Sequence, residues 1–446
     1  MSDARITSPM TERLGGLLGP VKSLLGGTVF FMAGNSLLGI VLPLRMEASD
    51  YPVALIGAIM AAYYMGLAFG GFGAKHVILR IGHIRAFSTF AALAAVTCLA
   101  YDFFFNPAAW VVLRIINGFC IAGMTSSIES WLNDRSDNET RGRVLGYYML
   151  GFYLAIALGQ TLVNIAPVDT SAPLMIAAAL IVLSLVPVAL TRLGEPNLRA
   201  LRMLGVRDLY RASPVGVIGA GVAGILIGSF YAMGVVFARQ IGLGVTEAAM
   251  FMSVVVLGGL GFQVPIGMLA DRFDRRIVMS CILIAVGTSW GLLSNFTANG
   301  APVPVLMAMA LMFGGAISSV YPLCVAQTFD GLDRKYYVAA SGRLLMIYSI
   351  GATIGPLLAA TLMAIYGPSS FFLFESAVAV TYALFVLFRV ASGDRPAAEG
   401  RAKFIPLPDI SAMVMRLDPR TEPDGPPPGA DPDQRPKGAG PTRLPD

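Results

Sequence analysis

Charge is scarce in this chain. Only 13% of its 446 residues are Asp, Glu, Lys or Arg, where a soluble protein carries about 25% because its surface must face water. Apolar residues make up 56% and mean hydropathy is +0.69. One soluble core stops growing near about 250–300 residues, so the apolar excess must face lipid. Histidine is nearly missing: His76 and His83 are the only two, and both sit in one basic loop. The four cysteines, Cys98, Cys120, Cys281 and Cys324, fall inside apolar stretches with no close-set pair. That excludes a metal cluster and predicts four buried free thiols. No G-x-x-x-x-G-K-[ST] is found, so ATP is not the evident energy source. No nucleophile–base set stands out either, and neither an enzyme nor a cofactor is expected.

What is present is long apolar runs. A helix needs about 20 apolar residues to cross hydrocarbon. That ruler predicts twelve spans, near 23–44, 53–74, 84–104, 108–130, 144–165, 172–191, 214–238, 248–270, 277–296, 303–326, 340–365 and 370–390. The first twenty or so residues are polar to mixed, and the run after Lys22 is too long for a signal h-region, so it reads as the first span. Glycine, at 49 residues, is scattered through the spans, where small residues let helices pack closely. The organisation expected is a cytoplasmic segment 1–21, a six-helix bundle 22–193, a linker 194–213, a second six-helix bundle 214–391 and a disordered cytoplasmic tail 392–446. In the linker, apolar residues at helical spacing oppose arginines, as in a helix lying on the inner leaflet, though a solvated linker fits equally. The tail ends rich in Pro, Gly and charge and cannot bury a core. Its stretch 404–417 (FIPLPDISAMVMRL) is more apolar, with docking on the membrane or the bundle as the alternative to disorder.

Lysine and arginine fix the expected orientation. With the N-terminus inside, outer loops hold only Arg45 and Arg239, while inner loops hold seventeen basic residues, from Lys75 and Arg80 to Arg334, Lys335 and Arg343. The net charge of +5 follows this alternation, so nucleic acid is not an expected partner.

The halves echo each other. GRVLGYYMLG from Gly142 and GRLLMIYSIG from Gly342 share Gly, Arg, Leu, Tyr and Gly at five of ten positions. They open the fifth and eleventh spans, equivalent under a six-plus-six duplication. Repeated halves enclosing a mid-membrane site are a transporter design.

Between spans eight and nine stands GMLADRFDRRIV. It resembles the major facilitator signature G-x-x-x-D-R-x-G-R-R at Gly267, Asp271, Arg272, Arg275 and Arg276, with Asp274 in place of the second glycine. Asp271 ends a span beside three cations, so it can pair with them or with a helix N-terminus. The resemblance implies a latch that holds the cytoplasmic side closed; a basic topology anchor is the plainer alternative. The first-half counterpart LRIGHIR keeps Arg80, Gly82 and Arg85 but has Leu79 where the aspartate belongs. Span eleven carries Gly351, Gly355 and Pro356 at the spacing of the family's antiporter motif. That motif belongs in span five, so these residues read as a close-packing, kinkable seam. Span four, RIINGFCIAG, is similar to the family's arginine-plus-glycines pattern at Arg114, Gly118 and Gly123. Just below it, SIESWLNDRSDNETRGR (127–143), together with GNSLLGIVLPLR (34–45) in span one, resembles the YcaD-like branch of bacterial transporters.

An ionisable group in hydrocarbon is costly and marks function by default. Arg114 lies in span four with no partner evident in sequence; a substrate or coupling role competes with snorkelling to the outer interface. Glu129 lies fifteen residues on, about 22 Å along the axis, too far to pair with Arg114. It reads as a proton carrier or as a gate partner for an inner-loop arginine. Glu375 lies in the peripheral twelfth span. On cavity-lining helices, Asn35, Asn117, Ser318 and Ser319 bond a ligand or merely their own helix, and Tyr231, with Tyr63, Tyr64 and Tyr321, is a weaker candidate.

The expected fold is therefore an all-α membrane protein with twelve transmembrane helices in two pseudo-symmetric six-helix bundles, the major facilitator fold. The resemblance implies a monomeric secondary transporter of the bacterial inner membrane, both termini cytoplasmic. It moves a small organic solute by alternating access with proton coupling. Efflux of drugs or amphiphiles is the alternative direction, and a non-transporting sensor or scaffold the alternative class.

Overall fold

Backbone groups in lipid have no water to bond, so an apolar run must satisfy its own N–H and C=O groups as a helix. The computed structural model describes residues 10–104, 106–136, 140–190, 204–297, 302–333, 336–393 and 404–405. Its helices are α1 (Met10–Ala48), α2 (Val53–Ile81), α3 (His83–Ala100), α4 (Pro107–Asp134), α5 (Arg141–Thr161), α6 (Ala172–Leu183), α7 (Leu185–Ala189), α8 (Val206–Ala212), α9 (Pro214–Gln240), α10 (Val245–Arg272), α11 (Arg275–Thr297), α12 (Val303–Phe329), α13 (Tyr337–Tyr366) and α14 (Ser370–Ala391). Every expected span falls on one of these, the sixth on α6 and α7 together. Eleven stretches among the described residues are long and apolar enough to cross a membrane. With α11 in the ninth position, the architecture is compatible with twelve.

Local chemistry sets the helix starts. Pro107 and Pro214 occupy the first turns of α4 and α9, where a missing N–H costs nothing. Asn106 accepts from the Ala108 N–H at 2.9 Å, and Ser213 from the Gly216 N–H at 3.1 Å, as N-caps do. The first helix differs from expectation: it begins at Met10, well inside the segment expected to precede the first span. The linker contains one short helix, α8, whose Leu209 is buried while Arg207 and Arg211 face out; residues 194–203 lie outside the described residues. So does the expected disordered tail, apart from 392–393 and 404–405.

Packing follows two matching seams of glycine. In the first half α1 meets α5, where a Cβ on Gly159 would come within 2.8 Å of the Ala33 Cα. In the second half α9 meets α13: a Cβ on Gly351 would sit 3.1 Å from the Ile225 nitrogen, and one on Gly355 3.0 Å from the Ile225 Cα. The other seam joins α2 to α4 through Gly66 and Gly118, and α10 to α12 through Gly258 and Gly314. Small residues here bring backbones into contact, the main attraction available where lipid is as apolar as the side chains. Around Trp290 the second bundle adds an aromatic core, with Phe313 and Phe372 each 3.9 Å away between ring centroids.

Three cysteines are buried as expected, but Cys281 is exposed. Its position inside an apolar run is the same as that of the others; only the face of α11 it occupies differs, and a span apolar all round does not reveal that face.

Candidate functional site

The two bundles leave a cavity of about 120 Å³ between them. Its wall takes residues from α1, α2, α4 and α5 on one side and α9, α10, α12 and α13 on the other. Among the described residues, Arg114 is its only charged lining residue. That side chain is 3% exposed, and its Nε has no hydrogen-bond partner. Arg114 takes part in none of the ion pairs found among the described residues. Instead its guanidinium lies over the Tyr63 ring, 4.7 Å from the centroid, a cation–π contact that orients the cation without neutralising it. Asn35 holds that ring in turn, donating from Nδ2 to the Tyr63 hydroxyl at 3.1 Å while its own Oδ1 lacks a partner.

Six tyrosines and Phe152, with three methionines, supply much of the remaining wall. Such a surface offers flat apolar faces with polar rims, adaptable where methionine lines it. Gln263, just outside the lining, donates to the Ser318 carbonyl at 3.0 Å and ties α10 to α12 beside the cavity.

Of the residues singled out in the sequence, Arg114, Asn35, Ser318 and Tyr231 meet at this cavity, with Tyr63, Tyr64 and Tyr321. Asn117, Glu129 and Ser319 are buried but are not among its lining residues. Ser319 donates to the Gly315 carbonyl at 2.7 Å, so it bonds its own helix. Asn117 is buried on α4, and neither polar atom of its amide finds a partner. Glu129 is fully buried and accepts from the Tyr148 hydroxyl at 3.0 Å, linking α4 to α5. Glu375, on α14, accepts from the Ser229 hydroxyl on α9 and lies away from the cavity wall. Tyr348 was missed as a lining residue, although the internal repeat pairs it with Tyr148. The two copies have diverged: one faces the cavity and the other holds a carboxylate.

The α10–α11 turn is an ionic cluster. Arg275, 3% exposed, grips both oxygens of Asp330 at 3.0 and 2.9 Å and reaches Asp271 at 3.0 Å. It thus binds the ends of α10, α11 and α12. Asp274, which stands in the signature's glycine position, caps α11 by accepting from the Arg276 N–H at 3.0 Å and from its guanidinium at 2.8 Å. In the first half the equivalent Gly82 has φ +83°, a conformation that suits glycine. The two turns are built differently, which explains why only one of them keeps the glycine.

The bundles join across the cavity's far side, away from the arginine-rich loops. There Ser253 donates to the Ala157 carbonyl at 3.0 Å, Thr246 to Asn164 Oδ1 at 2.8 Å, and Arg239 lies 3.6 Å from Glu47. On the same side α2 lies close against α13, where a Cβ on Gly57 would come within 2.9 Å of the Pro356 carbonyl.

The chain matches the sequence profile of the Major Facilitator Superfamily over residues 24–229 and 215–424. An uncharacterised MFS-type transporter of Enterobacter sp. (strain 638) is 27% identical over 382 residues, which cover 85% of this chain and 98% of the relative. The uncharacterised MFS-type transporter YcaD of Escherichia fergusonii is 27% identical over 383 residues, with the same coverage of 85% and 98%. In three dimensions the chain is similar to the nucleoside transporter NupG, with a TM-score of 0.69 and 15% identity, covering 83% of this chain and 99% of that one. At that identity the likeness is one of fold.

Proposed function

From the premise that the chain belongs to the major facilitator superfamily, a family of membrane transporters, we propose that it is a secondary active transporter of small organic anions. The solute binds between the bundles and crosses as they rock about it. One observation carries this reading: Arg114, nearly fully buried in the cavity wall, has no ion-pair partner among the described residues. A buried unpaired charge is strongly unfavourable, and a solute carboxylate or phosphate would relieve it with charge-assisted hydrogen bonds. Tyr63 and Asn35 pre-set the cation, and the aromatic wall takes the solute's apolar body.

On this reading the protein sits in a bacterial inner membrane as a monomer, its arginine-rich face in the cytosol, in agreement with the positive-inside rule. Proton coupling is part of the same proposal, with the buried carboxylate Glu129 as the candidate carrier. Transport in proteoliposomes should then respond to an imposed pH gradient and collapse with an uncoupler; indifference to both discards the coupling.

The anion itself is tested by ligand stabilisation of the purified protein. A ligand that binds only the folded form at a hundredfold excess over its Kd stabilises by about 2.7 kcal/mol. Organic acids should raise Tm, their uncharged amides should not, and Arg114→Gln should abolish the difference. Amides as effective as acids, with Arg114→Gln responding like wild type, would sink the reading. That result would favour the second one, efflux of neutral amphiphiles, which the methionines and aromatics of the wall support.

A further inference from the structure

The residue that closes the ionic cluster comes from the far end of the chain. The Phe404 backbone N–H donates to both oxygens of Asp271, at 2.8 and 3.0 Å. Its ring sits over Gly267, one turn earlier on the same face of α10, in the space a Cβ there would need. Phe404 and Ile405 are both half-buried, packed against the apolar core. This is a fitted contact of two parts. A glycine notch takes an aromatic ring, and a carboxylate takes the backbone donor beside it.

The same carboxylate has another use. α5 and α10 lie side by side beyond the cavity, where Ser253 bonds Ala157. If their other halves come together, the end of α10 at Asp271 approaches the start of α5. That start carries Arg141 and Arg143. A helix N-terminus with two arginines attracts a carboxylate. With Phe404 in place, both Asp271 oxygens are engaged and the notch is filled.

We propose that Phe404 is an internal ligand of the α10–α11 turn. Its ring in the Gly267 notch and its N–H on Asp271 hold the bundles apart at the arginine-rich face, so this contact sets how readily that face closes. The proposal rests on the alternating-access reading above.

The test uses the full-length chain with its native cysteines replaced and spin labels at Leu79→Cys and Phe388→Cys, two exposed positions near the arginine-rich ends of α2 and α14. Phe404→Pro removes the N–H, and Phe404→Ala removes the ring. Each should move the label-to-label distribution towards short separations, the Pro variant by about tenfold in the population ratio, as expected for one lost charge-assisted hydrogen bond. A photo-crosslinking residue at 404 should separately couple to α10. Coupling to α10 with distances identical in wild type and both variants overturns the proposal. Absence of coupling to α10 overturns it as well. A distribution that stays single in every variant and at every applied gradient overturns alternating access, and the proposal with it.

Discussion

Arg114 and Tyr63 act as a unit. The guanidinium needs the ring face to hold it at the cavity wall, so the two substitutions Tyr63→Phe and Tyr63→Leu should differ. Phe keeps the face and loses only the bond from Asn35; Leu loses the cation–π contact, worth up to about 2 kcal/mol in a dry site. Anion affinity should fall little in Tyr63→Phe and up to about thirtyfold in Tyr63→Leu; calorimetric titration of an anion found by thermal stabilisation would read it. Equal losses in both would show that the hydroxyl, not the face, matters. Arg114→Lys should restore little, because an ammonium lacks the planar stack. At the same scale, Cys281 should react with a lipid-permeant maleimide in intact membranes while Cys98, Cys120 and Cys324 do not; mass spectrometry of the labelled protein decides. Residue identity was readable from the sequence for Arg114, because a charge inside an apolar run is conspicuous. It was not readable for Ser318 against Ser319, adjacent hydroxyls of which one lines the cavity and the other bonds its own helix. A rotation of about 100° between neighbours on a helix decides that, and a uniformly apolar span gives no phase.

Among the helices, glycine position matters more than glycine number. A Cβ on Gly118 would come within 2.9 Å of the Leu67 nitrogen, whereas nothing lies within 4 Å of one on Gly146. Gly118→Ala must therefore push α2 from α4, at an overpacking cost of about 1–3 kcal/mol. Gly146→Ala should leave Tm unchanged or slightly higher, since alanine is the better helix former. A Tm for Gly118→Ala no lower than that of Gly146→Ala would refute the seam. Helix existence and rough span limits were legible because about 20 apolar residues have one solution in a bilayer. The junctions were less so. Asp274 departs from the signature, and only the capping bond to Arg276 explains it. Helix α1 runs back to Met10 through mixed residues that a hydropathy ruler leaves out.

For the whole molecule, the contacts away from the arginine-rich loops hold the two bundles together on one side of the cavity. Asn164→Cys with Thr246→Cys, joined by a short bifunctional thiol reagent, should fix that side shut. Transport should stop and return on reduction if the linker is cleavable. Transport that continues through the bridge would mean that the two bundles need not separate there. The two-bundle plan was foreseeable from the repeat at Gly142 and Gly342, since equal halves imply equal folds. Which side is joined was not, because both sides are encoded in one sequence and their balance is a matter of small energy differences.

The unlike turns at Gly82 and Asp274 carry a last consequence. Gene duplication starts with two interchangeable hinges, yet here one has a carboxylate bolt and a capped corner, while the other has Leu79, 56% exposed, and a bare glycine bend. Both turns lie at the arginine-rich side, so on the alternating-access proposal that face closes on one ionic bolt where the repeat has room for two. Supplying the missing bolt by Leu79→Asp should favour closure of that face, and slower labelling of Ser318→Cys by a water-soluble thiol reagent entering from it would register the change.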